Sequence, residues 1–454
     1  MISLILNFFL GIAGTVLKTL LPVIKKSKYY ERCSQWLANI HIHNRLYSSE
    51  KINKDVSELD FNDLGRTKQL DGKNLIDKYK EDMHEMTICD SNNNTRTIQI
   101  PYLELINFNN HPNTEITISC SNGNPLSLNR EFKLSEDIES ATDRVLDFVL
   151  KNNPQTTNDP HTRLASLKQI EKEKFECVLE KTHYYTQIRT NLSMDKRLNI
   201  NGHRKTMRDL EKEQHLLEQE EWKKNNIQND ALHPNCLTSL ENSLLANVIG
   251  VSAIWCMEDE NDEEPVFYLM PRNKKVGVYK NKLGMPSGDI EIPQYPKKSK
   301  EEQNHFRDKS LIEFLKWEIA REFAEETGIA DISKNLEDYS VEITKSKNRN
   351  KKPNENNITD EDFIKYYTEM EIIPLALTRE MIRGGKPQMF FLIKTKKIPK
   401  SDLKKCFLSS LGVEEFDDKV FTTATISAEV ACNYLYAMEH IQGKKDGIIS
   451  LREN

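Results

Sequence analysis

The sequence predicts an α/β fold for the C-terminal half of the chain, and three observations carry that prediction. Apolar, partly β-branched runs at Ile249 to Met257 and Val266 to Met270 flank an acidic turn, Glu258 to Glu264, and read as consecutive strands. Leu311, Leu315, Ile319 and Phe323 recur at helical spacing, which places a central helix over about 308–327. Beyond it, Tyr339 to Thr344, Met370 to Thr378 and Gln388 to Lys394 return to strand character, and Ser401 to Leu411 and Ser427 to Ile441 read as closing helices. Val276 to Tyr279 adds a short strand before the central helix.

The central helix carries the chemistry. Arg321 to Ile329 reads Arg-Glu-Phe-Ala-Glu-Glu-Thr-Gly-Ile, and Glu322, Glu325 and Glu326 stand at i, i+3 and i+4, within one turn of each other. Like charges at that spacing repel by roughly 0.2–0.5 kcal/mol per pair unless a cation sits among them. Hard oxygen donors on one rigid face suit magnesium or manganese, which bridge well to substrate phosphates. A solvated acidic helix face is the plainer alternative. Glu313 lies eight residues before Arg321, and Gly328 stands where a C-cap glycine ends a helix.

From Glu313 to Ile329 these residues resemble the box of the Nudix hydrolase family, G-x5-E-x7-R-E-U-x-E-E-x-G-U, with Phe323 in the first U position. The glycine end departs from it, because Arg307 stands where the box has glycine. A substitute lies upstream in Met285-Pro286-Ser287-Gly288-Asp289-Ile290-Glu291, which leaves 24 residues between Gly288 and Glu313 in place of five. The intervening stretch is polar and punctuated by Pro293 and Pro296, as a surface insertion is. Loop closure entropy grows slowly with length, so a box can accommodate such an insertion.

The resemblance, which covers about 245–445, implies a Nudix-type α/β/α sandwich with a mixed sheet. It implies Mg2+ or Mn2+ held by Glu322, Glu325 and Glu326, and a catalytic set of Glu325, Glu326, Arg321 and Glu313 in which Arg321 orients carboxylates with Glu313 as its partner. Gly288 would admit close backbone approach. Apart from the resemblance, Arg272 follows a strand where it could meet substrate phosphate, and Glu380, before Gly384 and Gly385, is a candidate for an additional ligand. For Arg272, with Lys274 and Lys275, a solvated charge cluster is the competing reading. The activity implied is metal-assisted hydrolysis of a diphosphate bond in a nucleoside diphosphate linked to another moiety. Two alternatives stand beside it: a non-catalytic nucleotide-binding module of the same fold, and a pyrophosphohydrolase acting on the 5′ end of capped RNA. The basic stretch Lys345 to Lys352 is the feature that would touch RNA by counterion release, but no aromatic interleaving accompanies it and a solvated loop explains it as well.

At the other end, Ile2 to Ile24 is almost wholly apolar and is followed by Lys25, Lys26 and Lys28, with Tyr29, Tyr30 and Trp36 beyond. As a helix these residues would span about 34 Å, enough for a bilayer core. The flanking positive charge predicts an anchor at residues 1–26 that keeps the remainder cytoplasmic. A helix lying in the membrane surface is an alternative, as are a signal segment, a buried helix and a soluble cytoplasmic protein.

Between these ends, residues 27–151 read as an accessory α+β region. Its strands are expected at Thr95 to Ile106 and Thr114 to Cys120, with a helix over Glu136 to Lys151. Asn152 to Pro160 reads as a linker, and 161–240 as charge-rich and mostly helical, above all Thr206 to Lys224. The hydrolase-like domain is expected over 241–454. With 64 basic and 70 acidic side chains the formal charge is −6, so no global basic bias points to nucleic acid. The eight cysteines include no C-x-x-C pair, and reduced thiols explain them more simply than disulfides or zinc.

Overall fold

The computed structural model describes residues 45–58, 79, 81–89, 93–119, 128, 130–154, 156–228, 230–258, 265–271, 282–292, 310–327, 370–399, 403, 426–443 and 448–450. The chain opens with β1 (Leu46–Ser48) and α1 (Ser49–Glu58), then β2 (His84–Cys89), β3 (Thr95–Ile100), β4 (Tyr102–Asn107) and β5 (Glu115–Ile118). Helix α2 (Glu136–Asn152) leads to the long hairpin β6 (Pro160–Glu171) and β7 (Lys174–His183), then α3 (Tyr184–Arg189). The short hairpin β8 (Leu198–Ile200) and β9 (His203–Lys205) precedes α4 (Met207–Asn225). The second half holds β10 (Gly250–Glu258), β11 (Val266–Tyr268), β12 (Met270–Pro271), β13 (Leu283–Gly284), β14 (Ser287–Asp289) and α5 (Leu311–Thr327). Strands β15 (Glu371–Glu380) and β16 (Lys386–Lys396), α6 (Ala428–Gln442) and β17 (Ile448–Ser450) complete it.

A seven-stranded mixed sheet in the order β1-β11-β10-β16-β15-β4, with β14 also paired to β10, forms the centre. Strand β10 runs parallel to β16, and the other pairs in this sheet are antiparallel. Period-two alternation sends its side chains to two separate cores. Val251, Ala253, Trp255 and Met257 of β10 and Met389, Phe391 and Ile393 of β16 pack with Phe314, Leu315, Ile319 and Phe323 of α5. Ile254 and Cys256 of β10 and Phe390 and Leu392 of β16 pack with Val430, Tyr434 and Ala437 of α6. The result is a mixed sheet with a helix on each face. Each fully buried Leu, Ile or Phe contributes about 1.5–3 kcal/mol relative to exposure. Trp255 satisfies its ring N–H on Thr395 Oγ1 at 2.9 Å.

Both edges of this sheet come from the N-terminal part of the chain. Leu46 pairs with Tyr268, and Ala376 with Asn107, so strands on either side of residue 241 share one sheet. Strand β17 likewise pairs in parallel with β2. Thr95 to Ile106 forms two strands, not one, separated at Pro101, which has no N–H to donate to a ladder.

The expectation of mostly helical structure over 161–240 is corrected. Residues 160–183 form the β6–β7 hairpin, with Glu173 in the left-handed region at its turn (φ 59°). Cys177 and Leu179 alternate with Glu176, Val178 and Glu180, and bury against Leu164 and Leu167. The charge that suggests a helix lies on the opposite face of the strands. Helix α4 is present as expected, capped by Thr206, whose side chain and that of Asp209 reciprocate as a capping box.

The anchor expected at residues 2–24 lies outside the described residues, as do the strands expected at 276–279 and 339–344, nearly all of 401–411, and the basic stretch 345–352. Among the described residues no helix is long and apolar enough to cross a membrane.

Candidate functional site

Helix α5 lays its apolar stripe on the sheet and brings Glu322 against β14. Gly288 of β14 faces α5, because it stands opposite Val251, an α5-side residue of β10. A Cβ built on Gly288 would lie 2.3 Å from Glu322 Cδ and 2.6 and 2.7 Å from its two carboxylate oxygens. Only a bare backbone permits that approach. The resemblance singled out both residues, and the structure brings them together.

Arg321 fastens the same carboxylate. Its Nη2 donates to Glu322 Oε1 at 2.6 Å and to Glu318 Oε2 at 3.2 Å. The guanidinium and Glu318 are buried, while the Glu322 side chain keeps 15% exposure. The partnership expected between Arg321 and Glu313 is corrected. Eight residues along one helix is a rise of about 12 Å, so Arg321 takes Glu318 at i−3. Glu313 is exposed and pairs with Lys316 at 2.9 Å. Glu326 is buried on α5, and Glu325 belongs to the helix but its side chain lies outside the described part. Arg272, Gly328 and most of the insertion expected over 292–312 also lie outside it.

Glu380 belongs to a different cluster. Strand β15 ends with it fully buried, and Arg383 Nε donates to its Oε2 at 2.6 Å. It stands in register with Lys386, and two residues on Gln388 donates to Glu429 Oε1 of α6 at 3.3 Å. Alternation therefore sets Glu380 on the α6 face of the sheet, away from the face where Glu322 meets Gly288. On that α6 face Asp289, the residue after Gly288, takes Lys386 Nζ at 2.7 Å and Gln187 Nε2 at 2.7 Å. Burial opposes ionisation of Asp289, but Lys386, Arg383 and His161 outweigh it and hold its carboxyl well below the usual range. Lys386 is pulled below its ordinary value by burial and by Arg383, with Asp289 and Glu380 offsetting part of that.

Sequence reasoning missed the hairpin's role here. Thr162 N–H donates to Ile290 O at 2.8 Å and its hydroxyl to Glu291 O at 2.9 Å, while Ile249 N–H donates to Thr162 O at 3.0 Å. Strand β6 is thus bonded to the residues that follow Gly288 and Asp289. No local signal marks this contact, since the partners stand about 129 positions apart.

Among the described residues no three His, Cys, Asp or Glu side chains converge as a metal-binding group. The donors on α5 are carboxylate oxygens, the kind a hard divalent cation takes, and the positive charge beside Glu322 among the described residues is the Arg321 guanidinium. No family model matches the chain, and no curated protein matches it. What the fold and site define is a mixed sheet between two helices with a carboxylate-bearing helix beside a glycine strand.

Proposed function

We propose that the chain is a Nudix-like hydrolase that cleaves a diphosphate bond in a nucleoside diphosphate derivative, using magnesium or manganese at the α5 carboxylates. The observation that carries this reading is the contact between Gly288 and the Glu322 carboxylate, because it joins two separated parts of the box across the insertion. The two-helix, mixed-sheet architecture supports it.

Glu322, Glu325 and Glu326 would hold the ion, which supplies charge neutralisation on the diphosphate and a water acidic enough to act near neutral pH. Arg321 fixes the Glu322 carboxylate by a charge-assisted bond, so the ligand is oriented before substrate arrives. Glu318, also buried, accepts from the same Nη2 and from Nε, and so holds the guanidinium in place. Gly288 keeps the strand backbone close enough to wall the site. Water adds to one phosphorus, the bridging P–O bond breaks, and two phosphate-bearing products leave with the released proton passing to solvent.

The test is product release by the full-length protein from dinucleotides, nucleotide sugars, nucleoside triphosphates and capped RNA, with and without Mg2+ or Mn2+. The expected result is metal-dependent release that Glu322→Gln and Glu325→Gln remove. Release unchanged in both variants would sink the site, and nucleotide binding without release would identify a binding module. A fragment beginning at 161 would lack β1 and β4, so the whole chain is needed.

A further inference from the structure

Two glycines on paired strands admit charged side chains from opposite faces of the sheet. Gly288 admits Glu322 on the α5 side. Gly250, which pairs with Asp289, admits the other: a Cβ there would lie 2.1 Å from Gln388 Oε1 and 2.5 Å from Lys386 Nζ. The missing side chain is what lets Lys386, fully buried at the start of β16, extend to Asp289. Lys386 takes one Asp289 oxygen and Gln187 of α3 takes the other, so the carboxylate is fixed at both ends. Strand β14 is therefore held from one face through Asp289 while its neighbour Gly288 bears on Glu322 from the other.

We propose that Lys386 and Gln187 are positioning residues for the α5 metal site, holding β14 through Asp289 so that Gly288 stays against the Glu322 carboxylate. This rests on the hydrolase reading above and adds to it a part for the β6–β7–α3 unit, which lies outside the box. An ion pair with one fully buried partner is weak support for stability, but removing Asp289 or Lys386 would leave the other charge uncompensated, so β14 is kept where the two meet. A one-residue slip of β14 would turn Asp289 toward α5 and Gly288 toward Lys386, leaving both charged partners wrongly placed.

The experiment is a Mn2+ titration of the full-length protein, following free Mn2+ by electron paramagnetic resonance, on wild type, Glu322→Gln, Lys386→Met and Gln187→Met, with the thermal midpoint of each recorded alongside. Folded Lys386→Met and Gln187→Met are expected to bind Mn2+ at least about threefold more weakly than wild type, less than the roughly 10–100-fold loss for a direct outer partner of a metal ligand, because they act through Asp289 and β14. Wild-type affinity in the folded variants, even with a lowered midpoint, would overturn the proposal and leave a structural ion pair. Where Lys386→Met fails to fold, Gln187→Met decides, since it removes one hydrogen bond to the Asp289 carboxylate and keeps the Lys386–Asp289 pair. Absence of Mn2+ binding by wild type, or equal binding by Glu322→Gln, would overturn the metal site itself and this proposal with it.

Discussion

Helices α4 and α5 are both rich in buried carboxylates, and what receives the charge separates them. On α4, Glu211 accepts from Leu244 N–H at 2.6 Å and Ser243 Oγ at 3.1 Å, and Glu218 accepts from Ser239 N–H at 3.0 Å and Asn242 Nδ2 at 2.7 Å. Asp82 does the same for Asn235 N–H at 2.6 Å and for Cys236 N–H. These acids pin the irregular segment 235–244 by satisfying its backbone donors, a buried polar need that any loop run inside a fold must meet. On α5, Glu318 and Glu322 gather instead around one guanidinium, and Glu322 bears on a glycine. The same residue type serves as a fastener in one helix and, on our reading, as a ligand in the other.

The largest test of that contrast is a pair of isosteric changes. Glu322→Gln should lower metal-dependent turnover by roughly a hundredfold or more, since even outer partners of a metal ligand are worth 10–100-fold. Glu218→Gln should leave turnover within about twofold while lowering stability by about 1–3 kcal/mol, the cost of an unsatisfied buried group. Loss of turnover in a folded Glu218→Gln protein would erase the distinction. Next comes Gly288→Ala, whose Cβ must displace the Glu322 carboxylate. Overpacking of that kind costs about 1–3 kcal/mol, and Mn2+ affinity should fall more than the denaturation midpoint does.

A pH profile sharpens the comparison on α4. Burial pushes Glu211 up to about 6 from an ordinary 4.5, despite the opposing pull of Leu244 N–H, Arg379 and its hydroxyl partners. A raised carboxyl binds its proton more tightly in the folded state, so its contribution is fully present below pH 4.5 and is lost as pH rises past about 6. That shift corresponds to about 2 kcal/mol. For Glu218, burial is outweighed by His215, Ser239 and Asn242, and its carboxyl is lowered, so its contribution has the opposite sign and is lost on acidification. Glu211→Gln should therefore remove the falling limb between pH 4.5 and 6 in thermal melts and leave in place the rise contributed by Glu218, which lies below pH 4.5. An unchanged profile would show that Glu211 is not the titrating group. The smallest effect belongs to Thr206→Ala, which removes the α4 capping box for about 1 kcal/mol. It should lower the midpoint without changing Mn2+ affinity.

The sequence discloses the elements that announce themselves locally. Trp255 and Phe323 lie in uninterrupted apolar or helical patterns, and β10, α5, β15, β16 and α6 follow from such patterns to within a few residues. Ser427, the first residue of the helix expected there, caps α6 through a bond from Val430 N–H at 3.1 Å. The Gly288–Glu322 contact was reachable only through the family resemblance, because an insertion hides their relation. What stayed hidden depends on distant partners. Lys168 to Glu176 looks helical by its charge, and only pairing and burial of its other face make it a hairpin. Gly250, Gln187 and Lys386 carry no local mark at all, since Gln187 and Asp289 stand 102 positions apart.

The edge strands β1 and β4 have a consequence for biosynthesis. A ribosome delivers both before any of β10, β11, β15 or β16 exists, so the rims of the main sheet are made first and must wait for its middle. Tyr47 and Ile106, which end buried, are solvent-facing on the nascent chain until residues 250–396 arrive. Long-range pairings of this kind fold slowly and leave strand edges open in the meantime. A chain stalled before residue 250 would therefore carry β1 and β4 without the strands they pair with, two open edges of the kind that join other chains.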